Sequence, residues 1–89
     1  MRRVIWSEAA IADLRSIQVY IGMFDLAAAR RLGNRLADAA EALVDFPLRG
    51  REIDGGLRQL SVIYPYLIRY RVTNDGVEIV SVRDGARDG

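Results

Sequence analysis

The 89-residue sequence contains no cysteine, no histidine and no lysine. Without cysteine there are no disulfides and no thiolate metal sites. Without histidine the commonest metal ligand and the commonest general base are missing. Without lysine no amine base or nucleophile is available, and all 13 basic side chains are arginine. Proline is scarce, with 2 residues, and there is a single tryptophan. No apolar run approaches the ~20 residues needed to span a bilayer. The start, MRRVIWSEAA, lacks the long apolar core of a secretory leader. These absences lead us to expect a cytoplasmic chain with no membrane segment, metal or cofactor.

What is present is enough for one small domain, residues 1–89. A chain of this size buries only ~60–65% of its unfolded surface, so modest stability is expected. Hydrophobic residues make up 51%, which is too many for a disordered chain. The net charge of +1 argues neither for nor against nucleic acid. The all-arginine usage has two readings. One is a coding bias; the other is use of the planar guanidinium fork, which suits carboxylates and phosphates.

Residues 3–6 (RVIW) read as a short strand with Val4 and Trp6 on one face. Ser7 is placed to cap a helix whose first turn carries Glu8. Ala10, Leu14, Ile17 and Ile21 form its apolar stripe, and Gly22 is its stop. Asp25 caps a second helix with the stripe Ala29, Leu32, Leu36, Ala39, Leu43 and Phe46, ended by Pro47. The spacing thus predicts helices over 7–22 and 25–46, joined as a hairpin whose apolar side needs cover. After a glycine-bearing loop at 47–56, three strands are expected at 57–63, 66–72 and 77–82. Tyr64-Pro65 and the Asp-Gly of TNDG (73–76) turn the chain between them. Residues 83–89 read as a polar tail. The fold class is α+β in the order β-α-α-β-β-β, with the helical hairpin packed on a small, mainly antiparallel sheet.

In YLIRYRV (66–72), Tyr66, Ile68, Tyr70 and Val72 alternate with Leu67, Arg69 and Arg71. The first set is expected in the core. Arg69 and Arg71 are expected on the open face, with Arg58 on the neighbouring strand and Arg83 and Arg87 beyond the last one. That surface is either an ordinary solvated sheet face or a binding face for phosphates or acidic side chains. Catalysis has little to work with: acid–base chemistry needs a group that titrates near the working pH. Asp13, Asp38, Glu41 and Asp45 are expected on solvated helix faces, and Asp84 and Asp88 beside Arg83 and Arg87 as salt-bridge formers. GREIDGG has glycines but not the spacing of a Walker or Rossmann phosphate loop.

WSEAAIADLRSI at the first helix, AEALVDFPLRGRE (40–52), LRQLSV, YLIRYRV and VEIVSVRDGAR follow one another in an order that resembles the ParE branch of the RelE/ParE toxin superfamily. The resemblance covers nearly the whole chain. It implies a toxin of a type II toxin–antitoxin module that inhibits DNA gyrase by binding. It also implies a ParD-like antitoxin whose C-terminal segment wraps the toxin, with the outer faces of helices 7–22 and 25–46 as candidate contacts. Arg58, Arg69, Arg71, Arg83 and Arg87 are then the expected target-binding residues. RelE-like members are ribosome-dependent mRNA endoribonucleases; in that reading Arg58, Arg69 and Arg83 would stabilise a developing phosphorane. Against it, Leu67 stands where those nucleases commonly have an arginine, and the tail aromatic has no counterpart before Gly89. Asp84 stands where ParE-like chains often carry a histidine, which bears on toxicity. A third reading is a non-toxic relic that binds antitoxin and tunes transcription.

Overall fold

The computed structural model describes residues 2–86. The elements are β1 (Arg3–Trp6), α1 (Glu8–Gly22), α2 (Leu26–Ala42), β2 (Arg51–Ile53), β3 (Leu57–Ile63), β4 (Tyr66–Thr73) and β5 (Gly76–Asp84). The strands form one sheet in the order β1-β5-β4-β3-β2. β1 runs parallel to β5, and the other pairs are antiparallel. The expected β-α-α-β-β-β order is present, with one strand more. β2 arises inside the stretch expected to be loop, and a tight turn at Asp54–Gly56 folds it back on β3. Gly55 and Gly56, at φ 77 and 73, supply the left-handed backbone of that turn.

Both helix starts follow the sequence. Ser7 Oγ accepts from the Ala10 amide at 3.0 Å, and Asp25 Oδ1 from Ala28 at 3.0 Å. The α1–α2 interface is close because its contact residues are small. Ala29 and Gly33 are buried in α2, and Gln18 of α1 donates to the Ala29 carbonyl at 3.3 Å. A side chain at position 33 would collide with Gln18. The hairpin covers one face of the sheet. Ala10, Leu36, Ala40 and Leu43 meet Leu60, Ile68, Tyr70, Val77, Ile79 and Val82 in the core.

Three expectations about the helices and the tail are corrected. α2 ends at Ala42 rather than 46, so Phe46 leaves the apolar stripe and stands 64% exposed. Asp13 is not on a solvated face. It is half-buried, and its Oδ2 accepts from the Val82 amide at 3.0 Å. The tail expected from 83 begins later, because β5 continues through Asp84.

The Asp13 bond belongs to a feature of β5 that sets the direction of everything after it. β4 and β5 pair as Arg69 with Ser81 but Tyr70 with Ile79, leaving Val80 as an extra residue. Such a bulge shifts the alternation by one. β1 stops at Trp6 opposite Ile79, and α1 takes over the exposed strand edge. The Ser7 hydroxyl donates to the Val80 carbonyl at 3.0 Å, and Asp13 receives the Val82 N–H. Val82 is thereby turned inward and Arg83 outward.

Candidate target-binding face of the sheet

Directly paired residues on neighbouring strands share a face, so the register assigns each arginine. Arg51 pairs with Gln59, Gln59 with Arg69, and Arg69 with Ser81. This row crosses four strands on the face away from the helices, with strands ~4.8 Å apart. Arg71 pairs with Glu78, and Glu78 with Ile5 of β1. Arg83 pairs with Leu67, and Arg3 enters two residues before Ile5. The outer face therefore carries Arg3, Arg51, Arg69, Arg71 and Arg83. Among the described strand residues, Glu78 is the one carboxylate on it.

These side chains are partly organised. Arg69 Nε donates to Gln59 Oε1 at 3.0 Å, which fixes its guanidinium along the strand row. Arg71 forms an ion pair with Glu78 at 3.1 Å, with both groups well exposed. Arg83 and Arg51 are exposed. Planar guanidinium groups on a rigid sheet are suited to carboxylates or phosphates on a partner.

Arg58 is different. It pairs with Tyr70 and so lies on the helix side of the sheet, opposite Arg69, Arg71 and Arg83. Its side chain is only 20% exposed. Nη1 donates to the Gly50 carbonyl at 2.7 Å and to Leu48 at 3.4 Å, while Nη2 meets Glu52 Oε1 at 3.2 Å. The expectation that Arg58 joins the open arginine face is thus corrected: it has the same parity as the core residue Leu60, and it braces a loop. Arg87 lies outside the described residues. Arg51 and Arg3, which sequence reasoning missed, take part in its place.

No groups of three or more His, Cys, Asp or Glu side chains that could hold a metal ion occur among the described residues. None of their helices is long and apolar enough to cross a membrane.

A second exposed surface is apolar. At the tip of the helical hairpin Val19, Tyr20, Met23, Phe24 and Leu26 all face solvent. Tyr20 and Phe24 meet edge to face, ring centres 5.5 Å apart. Val19, Met23 and Leu26 line a shallow depression there. This exposed cluster is a candidate interaction surface, and it lies on the helices expected to contact an antitoxin.

Comparison with known proteins agrees with this architecture. A family described as the ParE toxin of the type II toxin–antitoxin system parDE matches residues 4–89. Toxin RelE2 of Caulobacter vibrioides is 46% identical over 87 residues, covering 98% of this chain and 99% of that protein. The putative toxin Y4kP of Sinorhizobium fredii is 35% identical over 83 residues, covering 91% and 85%. Among solved structures, a chain of the chromosomal ParDE toxin–antitoxin system from P. aeruginosa superposes with a TM-score of 0.82 at 21% identity. It spans 94% of this chain and 96% of its own, and at that identity the likeness speaks for the fold alone. With residues 4–89 matched by the family and the α-hairpin-on-sheet architecture in place, this chain belongs to the ParE toxin family of type II toxin–antitoxin systems.

Proposed function

We propose that this toxin acts by binding DNA gyrase through its outer sheet face, and that a ParD-like antitoxin neutralises it. Arg51, Arg69, Arg71 and Arg83 make the contact, by charge-assisted hydrogen bonds to gyrase carboxylates or to gyrase-bound DNA phosphates. The antitoxin's C-terminal segment covers the apolar hairpin around Val19, Met23, Phe24 and Leu26, the helix-in-groove mode of recognition.

The observation that carries the reading is the separation of Arg58 from Arg69 and Arg83. A nuclease of the RelE kind needs several cations converging on one phosphate and a group to move a proton. Here Arg58 is committed to the Gly50 and Leu48 carbonyls on the other side of the sheet. The sequence has no histidine, lysine or cysteine to serve as base. What remains is a cationic surface able to grip and poorly equipped to cut.

The test is a paired assay on the purified toxin. Gyrase supercoiling should be inhibited, and mRNA on translating ribosomes should remain intact by toeprinting. Cleaved mRNA with unimpaired supercoiling overturns the proposal in favour of the nuclease. Unimpaired growth of cells expressing the folded toxin alone overturns it in favour of a relic that only binds antitoxin.

A further inference from the structure

The segment that connects α2 to β2 displays large apolar side chains on a backbone that is held at almost every carbonyl. Phe46 O accepts from the Arg49 amide at 3.1 Å. Pro47 O accepts from the Tyr70 hydroxyl at 2.7 Å. Leu48 O and Gly50 O accept from Arg58 at 3.4 and 2.7 Å. The Gly50 amide donates back to the Tyr70 oxygen at 2.8 Å. Tyr70 is completely buried, and its ring lies so close to Gly50 that any side chain there would collide with it. Two core-facing residues of the sheet, Tyr70 and Arg58, therefore clamp this loop.

The clamped loop holds Phe46 and Leu48 at 64% and 66% exposure. With Pro47 and Arg49 they line one open apolar ledge. Exposed side chains of this size gain nothing from folding, while the loop under them is fixed by buried donors. That combination is a pre-organised contact, because little ordering cost remains when a partner binds. Arg49 also lines a neighbouring depression with Arg51 and Gln59, and Arg51 and Gln59 begin the polar row of the outer sheet face. The ledge is thus continuous with the arginine face around the β2 edge. It is remote from the hairpin tip, which lies at the other end of α2, ~25 Å away for 17 residues at 1.5 Å each.

We propose that Phe46 and Leu48 are the apolar anchors of the toxin's contact with its protein target. The partner surface that fits is an apolar patch edged by carboxylates, which would meet Arg49 and Arg51. This rests on the reading that the outer face engages gyrase, and it adds what that face lacks. Surface charges chiefly steer and orient association. Tight binding depends on a few desolvated anchors. The ledge and the arginine face therefore divide the work: arginines set the rate of encounter and Phe46 and Leu48 hold the complex together.

The experiment compares the wild-type toxin with F46S/L48S, and with L48S alone as a milder change. Thermal unfolding and far-ultraviolet circular dichroism report whether each variant is folded. Supercoiling inhibition by the double variant should need at least about tenfold more toxin, the equivalent of 1.4 kcal/mol. The loss should appear in the dissociation rate, with antitoxin affinity unchanged. Unchanged inhibition by F46S/L48S overturns the ledge and leaves the gyrase reading standing. If the wild type does not inhibit supercoiling, the gyrase reading fails and the ledge is judged on growth arrest. There, arrest lost in the double variant supports an anchor for another protein target, and arrest retained overturns it. A parallel loss of antitoxin affinity, or of binding to single-stranded nucleic acid, assigns the ledge to that ligand instead and also overturns the proposal.

Discussion

The two faces of β2–β5 are made from alternate residues of the same strands, yet they do opposite things with arginine. On the helix side Arg58 sits beside Tyr70 and spends its donors on Gly50, Leu48 and Glu52. On the outer side Arg51, Arg69, Arg71 and Arg83 lie on open sheet with one carboxylate among them. The difference teaches that the position of a cation in the strand parity decides whether it supports the fold or meets a partner. Damage on the inner face should appear in stability, and damage on the outer face in binding.

The largest effect is expected from Tyr70→Ala, which removes a buried ring and releases the loop clamp. A loss of about 3–5 kcal/mol follows from large-to-small core substitution. For a domain of this size it should lower the melting temperature by roughly 4–8 °C per kcal/mol. Calorimetry or thermal circular dichroism checks it. Next comes Arg58→Ala, which strips the Gly50 carbonyl of its charged donor and should cost about 1–3 kcal/mol in urea unfolding. If Arg58→Ala were neutral for stability and abolished toxicity, the contrast between the faces would be broken.

On the outer face, Arg69→Ala and Arg83→Ala should each change stability by no more than about 1 kcal/mol. Both should weaken target binding, with an association rate that loses its salt dependence. Surface plasmon resonance at several ionic strengths checks this. The smallest effect is the Arg71–Glu78 pair. A double-mutant cycle should give only ~0.2–1 kcal/mol, because both groups are exposed. Salt should reduce it further.

Much of the fold was legible. Alternation gave β3 at its observed bounds and β4 to within one residue, and the caps at Ser7 and Asp25 gave both helix starts. What could not be read depends on partners distant in sequence. β2 is only Arg51–Ile53, too short for a period to declare itself, and it exists because β3 lies alongside. Arg51 was missed for that reason. The Val80 bulge is fixed by Ser7 and Asp13, about seventy residues earlier, as the register and bonds require. Strict alternation from Ile79 would have sent Arg83 inward, so its place on the outer face follows from the bulge. Phe46 fits the helical stripe in sequence, but α2 ends before it does. The place of Arg58 is legible, since it alternates in step with Leu60, which is buried.

The most direct test is a supercoiling titration that sets R69A/R83A against R58A, each assayed below its own melting temperature with antitoxin binding as the check on folding. We expect R58A, which loosens the loop under Phe46 and Leu48, to inhibit gyrase less well than the wild type but better than R69A/R83A, which should need about tenfold more protein than the wild type or beyond, a difference of 1.4 kcal/mol. Equal inhibition by R69A/R83A and the wild type, or loss of inhibition in folded R58A alone, would contradict the account.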